Sequence, residues 1–357
     1  MKRQIISENR AVSCYFRSSV EPPHRKALVQ ITERCNLFCA HCFVSAGDYG
    51  DAMQFENIRD VLVPRLKACR VISVSLTGGE PFVHPNILEI ASLIRENDMK
   101  VAICTNATCI EERHMTALAE LGDVHCNVSL DGFSPESHGK FRGNRDSFEK
   151  TISTIRALAK HGLLQGLLVT PNNLAEVDEY SKLCEFAVEN GAKYVLMNPL
   201  SPMGRGARSM SRLRASDEKM RQILVAASLF SNRIELVPIR FPNDKKLPLA
   251  SCEAGNIIYV FEHGELTVCP YLIFAAKTPQ SLHRPEEFII GNIFHDADIA
   301  EKLDAYKFHE RYRLGGNPTC GSCEINAKCN KGCPAAVISS GKRIEEVDTE
   351  LCPMVNP

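Results

Sequence analysis

The sequence predicts an α/β fold, a partial (β/α)6 barrel of parallel strands followed by a small cysteine-rich domain. Three observations predict it. Short apolar runs alternate with amphipathic segments from Ala27 to about Gly206, the pattern of strands joined by right-handed helical crossovers. The first four runs end in residues able to hold a ligand, which is where barrels of the TIM type carry their chemistry. Sixteen cysteines stand in 357 residues, three of them in one short loop and seven between Cys252 and Cys352.

Hydrophobic residues make up 44% of the chain and charged residues 24%, ordinary values for a globular protein with a large core. The net charge of -1 gives nucleic acid and anionic membrane no electrostatic hold. Neither a transmembrane run nor the apolar core of a signal peptide is visible, so a cytoplasmic location is expected. In a reducing compartment, grouped cysteines read as metal ligands and single ones as small core residues. Cys14, Cys69, Cys104, Cys109, Cys126 and Cys184 stand alone.

Residues 1–25 form a short leading segment, and the barrel is expected over 26–210. The first run, Ala27–Thr32, feeds Cys35-Asn-Leu-Phe-Cys39-Ala-His-Cys42. Three thiols at C-x3-C-x2-C can converge on one soft metal centre and leave it one protein ligand short. A helix over Gln54–Arg70 returns the chain to Val71–Leu76, which ends in Thr77-Gly78-Gly79-Glu80-Pro81. Its glycines permit close backbone approach to a ligand, and Glu80 can accept from an ammonium. After a helix over Asn86–Asn97, the run Val101–Thr105 ends in Thr105-Asn106. Cys104 shares a face with Asn106 and points into the barrel below the site, where it fills core or donates hydrogen to a substrate. A helix over Glu111–Leu121 precedes Val124–Leu130, which ends in Ser129-Leu130-Asp131-Gly132, with Cys126 turned toward the helices. Ser147–Lys160 and Ala175–Asn190 are helical, flanking the fifth run, Leu163–Val169; Tyr194–Met197 is the sixth. Gly204-Arg205-Gly206 reads most simply as a flexible loop, with a ligand contact by Arg205 the lesser alternative.

Residues 211–250 read as a linker: a helix over Ser211–Phe230, a strand over Arg233–Arg240 and a proline-bearing connector. A cysteine domain is expected over 251–357. Ile257–Phe261 and Leu266–Tyr271 flank Glu262-His263-Gly264-Glu265, so Cys269 should ride on the second strand of a hairpin. Asp298–Tyr306 reads as a helix. Seven thiols in this region could bind zinc, but zinc ribbons show two C-x2-C knuckles and only Cys320-x2-Cys323 is present.

The cysteine loop, Gly78–Pro81 one strand later, and Ser129–Gly132 followed by His138–Gly143 resemble the radical S-adenosylmethionine (SAM) superfamily. The spacing Cys252-x11-Gly264-x4-Cys269, then Cys320-x2-Cys323-x5-Cys329-x3-Cys333, then Cys352 resembles its SPASM extension. Together the likeness covers about Lys26 to Pro353. It implies that Cys35, Cys39 and Cys42 hold a 4Fe-4S cluster whose open iron chelates SAM. It implies SAM contacts from Gly78, Gly79, Glu80 and Pro81 to the amino group, and from Ser129 and Arg142 to the ribose and carboxylate. His41 would lie near the adenine, and Asn106 on the third strand end. Ala107 stands where the family usually has glycine, which argues against a positive-φ turn there. Two auxiliary 4Fe-4S clusters are implied, an outer one on Cys320, Cys323, Cys329 and Cys352 and an inner one on Cys252, Cys269 and Cys333. Relatives with a full inner set have a further cysteine between the first two. None lies between Cys252 and Cys269, so the fourth inner position is expected to be open or filled by a non-cysteine group or the substrate.

The resemblance implies reductive cleavage of SAM to a 5'-deoxyadenosyl radical and hydrogen abstraction from a substrate. An auxiliary cluster near the site suits two-electron oxidation. Asn198-Pro-Leu-Ser-Pro-Met-Gly-Arg-Gly looks like the mycofactocin and pyrroloquinoline-quinone maturases, which points to a ribosomally made peptide undergoing cross-linking or oxidative decarboxylation. Sulfatase maturases, haem-pathway enzymes and sugar-modifying SPASM enzymes are the enzymatic alternatives, and a zinc-binding or iron–sulfur redox-sensing module the non-enzymatic one. With about 25 residues ahead of the barrel, a leader-binding module is expected to be a separate protein or absent. Flavodoxin or ferredoxin is the expected electron donor. Cys104 and Asp131 are weak catalytic candidates by position, and the glutamates around Glu253 and Glu262 are candidates by location alone.

Overall fold

Apolar runs with few charges become strands wherever a parallel sheet is covered on its outer face, and here they build one sheet of ten. In the computed structural model, which describes residues 9–15 and 20–355, the strands are β1 (Arg25–Thr32), β2 (Val71–Gly78), β3 (Lys100–Thr105), β4 (Val124–Ser129), β5 (Leu164–Val169), β6 (Tyr194–Met197), β7 (Glu235–Pro238), β8 (Ile257–Val260), β9 (Glu265–Thr267) and β10 (Ile289–Asn292). Their spatial order is β10-β9-β8-β1-β2-β3-β4-β5-β6-β7. β1 to β6 pair in parallel in chain order, giving the expected six-unit partial barrel.

Both edges of that barrel are extended. β7, read from sequence as part of a linker, pairs in parallel with β6 from Tyr194↔Glu235 to Met197↔Pro238. On the other side β8 pairs in parallel with β1, from Lys26↔Ile257 to Val29↔Val260. β9 and β10 then add antiparallel strands. The cysteine-rich region therefore continues the barrel sheet.

Helices at Ile87–Glu96, Glu112–Leu121, Ser147–Lys160 and Val177–Glu189 stand within two residues of their expected ends. The helix expected over Gln54–Arg70 is instead interrupted, with a wide π-turn at Ile58–Leu62 between Phe55–Asn57 and Val63–Ala68. Pro64 explains it, because it has no N–H to offer and its ring crowds the carbonyl one turn back. The helix expected over Ser211–Phe230 is two, Arg205–Leu213 and Asp217–Ser228, split where the Ser216 hydroxyl accepts from the Lys219 N–H at 3.2 Å as an N-cap.

Cys269 does not ride on the hairpin strand. β9 ends at Thr267, and Cys269 immediately precedes a helix, Pro270–Ala276. A proline removes the ladder donor and is well suited to the first helical position. The same device recurs at Cys333, which precedes the helix Pro334–Ser339. These two helices pack against each other, which draws their leading cysteines toward one place. One apolar cluster runs from the barrel into this region, through Leu272, Phe288, Ile299 and Ile338. No described helix is long and apolar enough to cross a membrane.

Candidate iron–sulfur and SAM site

The loop after β1 carries Cys35, Cys39 and Cys42, and three strand ends and a helix hold it. At the end of β2, Gly79 N–H donates to Thr32 O at 2.8 Å and Glu80 N–H to Arg34 O at 2.9 Å. A Cβ on Gly78 would stand 2.2 Å from Thr32 O, and one on Gly79 2.0 Å from Arg34 O. These glycines thus serve first to let β2 lie against the start of the cysteine loop. Sequence reasoning assigned their close approach to a ligand.

Glu80 is buried, at 1% exposure. One carboxylate oxygen accepts from Thr105 Oγ1 at 2.6 Å and from Phe82 N–H at 3.2 Å. The other accepts from Asn106 N–H at 2.7 Å. Burial pushes its carboxyl up, and those three donors pull against that rise. Glu80 consequently ties β2 to the end of β3, a part the sequence did not suggest. Pro81 opens a short turn beside it.

Asn106 extends that tie to the loop. Its Nδ2 donates to Asn36 Oδ1 at 3.0 Å and lies 3.9 Å from Cys35 Sγ. Asn36 Nδ2 in turn donates to Thr108 Oγ1 at 2.7 Å. The turn runs through Ala107 at φ 63°, so the positive-φ turn forms despite the alanine. Its N–H bonds Thr105 Oγ1 at 2.9 Å, one of the local contacts that offset a cost of about 1 kcal/mol for a left-handed alanine.

On the far side Arg142, 8% exposed, reaches Cys39 Sγ at 3.9 Å with Nη1 while its Nε donates to Asp131 at 2.6 Å. Asp131 is fully buried; its other oxygen accepts from Thr170 N–H at 2.8 Å. Burial pushes this carboxyl up, but Arg142 and the flanking histidines more than reverse that, leaving it below the ordinary range. With both oxygens committed and no exposure, Asp131 cannot serve as the acid or base that its position suggested. It positions Arg142. Ser129, at the end of β4, is half-buried.

His41 stacks on Phe141 with ring centroids 4.4 Å apart and planes within 6°. Burial drives its imidazole down to about 3, so it is neutral, and its buried Nδ1 has no hydrogen-bond partner in the structure. The Gly204–Gly206 stretch is ordered against the loop. A Cβ on Gly204 would meet Phe43 O at 2.4 Å, Arg205 N–H donates to Cys42 O at 2.9 Å, and Arg205 Nε donates to Cys39 O at 2.8 Å. Its guanidinium lies 3.8 Å over the Phe38 ring, and Nη2 is buried without a partner. Arg205, for which a ligand contact was the lesser reading beside a flexible loop, is thus packed on the cysteine loop.

Cys104 is half-buried on β3, in contact with Asn127 of β4. Lys26 and Glu80 are also near enough to act on its thiol. Cys126 is fully buried among apolar residues.

Burial pushes the Cys35 and Cys39 thiols up to about 12 and 11, a standing penalty on thiolates that a bound soft cation reverses. A single tetrahedral zinc at Zn–S of about 2.3 Å holds its sulfurs about 3.8 Å apart. Among the described residues no three cysteine sulfurs lie within 4.8 Å of one another; the one grouping of ligand atoms that close is Glu33, Asp51, Glu262 and His263. Wider-set soft donors, with the unpartnered buried His41 Nδ1 and Arg205 Nη2 beside them, fit a multinuclear cluster and a polar ligand.

The C-terminal cysteines fall into two places. Cys352 is electrostatically coupled to Cys320 and Cys329, and Cys323 follows Cys320 in the same turn, its N–H bonded to Cys320 O at 3.3 Å. Cys252, Cys269 and Cys333 line one pocket, and Cys14 lines it with them. Cys14 is a core residue as expected, but it does not stand alone.

Residues 29–184 match the radical SAM superfamily. Among curated proteins, the antilisterial bacteriocin subtilosin biosynthesis protein AlbA of Bacillus subtilis is 29% identical over 279 residues, covering 76% of this chain and 58% of that protein. The mycofactocin maturase MftC of Mycobacterium tuberculosis is 26% identical over 339 residues, covering 90% of this chain and 81% of the maturase. The chain thus spans a little over half of the first relative's length. Among solved structures, Streptococcus suis SuiB bound to precursor peptide SuiA superposes with a TM-score of 0.73 at 17% identity, covering 93% of this chain and 76% of that one. Native anSMEcpe with bound AdoMet gives 0.65 at 17%, covering 93% and 96%. At those identities the two structures establish the fold.

Proposed function

We propose that this chain, an enzyme carrying a radical SAM domain, modifies a ribosomally made peptide by two-electron oxidation. The observation that carries the reading is the docking of one three-cysteine loop on the ends of β2 and β3, with Asn106 and Arg142 each 3.9 Å from a loop thiol. In this reading Cys35, Cys39 and Cys42 hold the 4Fe-4S cluster. Gly78–Pro81 present backbone to the SAM amino group, Arg142 faces its carboxylate, and Ser129, Asn106 and His41 line the nucleoside side. When bound, SAM and its cluster supply a 5'-deoxyadenosyl radical that abstracts hydrogen, and auxiliary clusters supply a sink for the second electron of an oxidation. Those clusters are assigned to Cys252, Cys269 and Cys333, and to Cys320, Cys323, Cys329 and Cys352.

The chain's own part is positional. Glu80 and Asn106 fix the loop against the sheet, while Asp131 aims Arg142. Stacked His41 and Phe141 exclude water from one wall. Likeness to a mycofactocin maturase and to a subtilosin biosynthesis protein, over 90% and 76% of the chain, supports a peptide substrate. A separate leader-binding protein and a flavodoxin or ferredoxin donor complete the proposed system.

The test is anaerobic reconstitution of the chain with iron and sulfide, then reduction in the presence of SAM. Formation of 5'-deoxyadenosine, abolished in the Cys35→Ala/Cys39→Ala/Cys42→Ala variant, is expected. With a short peptide encoded beside the gene, the product should lose two hydrogens by mass. Absence of 5'-deoxyadenosine from protein with a full iron complement overturns the reading.

A further inference from the structure

The inner cysteine pocket has one more thiol than the C-terminal sequence supplies. Cys14 is 4% exposed, as is Cys333. Its thiol lies close enough to those of Cys252 and Cys333 to interact with both, lines one pocket with them, and donates to Gly332 O at 3.4 Å. Cys269 lines the same pocket from the start of its helix. Cys14 and Cys252 are 238 positions apart in the chain, so no local spacing motif could have joined them.

The segment that brings Cys14 there is firmly held. Ala11 N–H donates to Pro248 O at 2.9 Å, Ala250 N–H to Ala11 O at 2.9 Å, and Arg240 N–H to Val12 O at 2.8 Å. Ser13 Oγ donates to Ala250 O at 3.3 Å, and Arg240 Nη1 donates to Ser13 O at 3.0 Å. Tyr15 stacks on Tyr271, centroids 4.7 Å apart, and its N–H faces the Cys333 thiol. Arg240 has no exposed side-chain surface and is bidentate to Asp348 at 2.7 and 3.0 Å.

We infer that Cys14 is the fourth ligand of the inner auxiliary cluster, which is closed by Cys14, Cys252, Cys269 and Cys333. The inference rests on the reading that this pocket holds a 4Fe-4S cluster. Four thiolates leave no iron free for substrate. The inner cluster then acts by exchanging electrons alone, and the only iron with a vacancy is the one beside SAM. The expectation of a three-cysteine inner site is thereby replaced.

The experiment uses the full chain in the Cys35→Ala/Cys39→Ala/Cys42→Ala background, so that only auxiliary clusters contribute. After anaerobic reconstitution it should hold about eight irons, four from each cluster. Its reduced EPR signal should not change on addition of cyanide, a ligand for open iron sites. Adding Cys14→Ala should make part of that signal cyanide-sensitive or remove up to half of the iron. Cys14→Ser, of nearly equal volume, should retain the iron with a shifted signal, which separates ligation from folding. Cys69→Ala, a buried cysteine elsewhere, should change neither. A cyanide response with Cys14 intact overturns the inference, as does an unchanged signal in both Cys14 variants. A Cys14–Cys252 disulfide found by mass spectrometry in the iron-loaded protein also overturns it. If the background variant holds four irons or fewer and Cys252→Ala removes none, the pocket carries no cluster and the underlying reading fails instead.

Discussion

At the scale of the residue, the site is a set of buried polar groups that satisfy one another. Asp131 and Arg142 are the plainest pair, their side chains 0% and 9% exposed. Removing one partner of a buried ion pair leaves the other uncompensated, at a cost of about 3–5 kcal/mol. Asp131→Asn should therefore lower the chemical-denaturation free energy by several kcal/mol and weaken SAM binding in the iron-loaded protein. An unchanged affinity with intact stability would show that Asp131 does not orient Arg142. His138 offers a pH test. Its Nδ1 accepts from Asp131 N–H at 3.1 Å, and burial, with Arg142 adding, drives its imidazole down to about 3. A histidine depressed on folding takes up its proton first in the unfolded chain, near pH 6.5, so its contribution is full above that pH and falls as acid is added. At pH 5.5 the loss should reach about 1 kcal/mol. His138→Asn keeps an acceptor and removes the titration; the drop in urea-denaturation free energy between pH 7.5 and 5.5 should shrink by that amount. Equal slopes in both proteins would contradict the assignment.

At the scale of the element, the strand ends are locked to the cysteine loop through backbone atoms, so substitution there acts on geometry. Gly79→Ala forces a Cβ to within 2.0 Å of Arg34 O, a contact that main chain must move to relieve. The expected result is a loss of a few kcal/mol, seen as a lower melting temperature without iron, together with loss of 5'-deoxyadenosine formation. A variant with normal turnover would mean that the β2 end and the loop need not touch. Much at this scale was legible in the sequence. Ala27–Thr32, Val71–Leu76 and Val101–Thr105 are apolar enough to read as buried strands, and the amphipathic helices announce themselves by period. What was hidden depends on single residues that override a period, as Pro64 does in the first helix, or on Cys-Pro steps that begin a helix, at 269 just past a strand and at 333 after a loop. Glu80 was visible as a functional residue, but its partners on β3 lie 25 and 26 positions away, and only the fold reveals that it binds protein.

At the scale of the whole molecule, the sequence suggests a barrel followed by a cysteine domain, and the sheet joins them. Parallel pairing of β8 with β1, and the passage of residues 11–15 beneath Arg240 into the inner pocket, are contacts between chain positions more than 200 apart. No periodicity or motif reports on them, which is why Cys14 read as solitary. This continuity has a measurable consequence. If β8 were part of an independent unit, its amides would exchange through local opening at a free energy well below that of the barrel. Because Lys26 to Val29 pair with Ile257 to Val260, and Ile258 and Val260 belong to the same apolar cluster as Ala27 and Val29, the two strands should open together. Native-state hydrogen exchange on the reconstituted protein should give β1 and β8 amides opening free energies within about 1 kcal/mol of each other, since separating the strands breaks bonds of both. Exchange of β8 at a clearly lower free energy, with β1 still protected, would mean that the hairpin detaches from the barrel edge. The inner cysteine pocket would then no longer be held at a fixed distance from the loop of Cys35, Cys39 and Cys42.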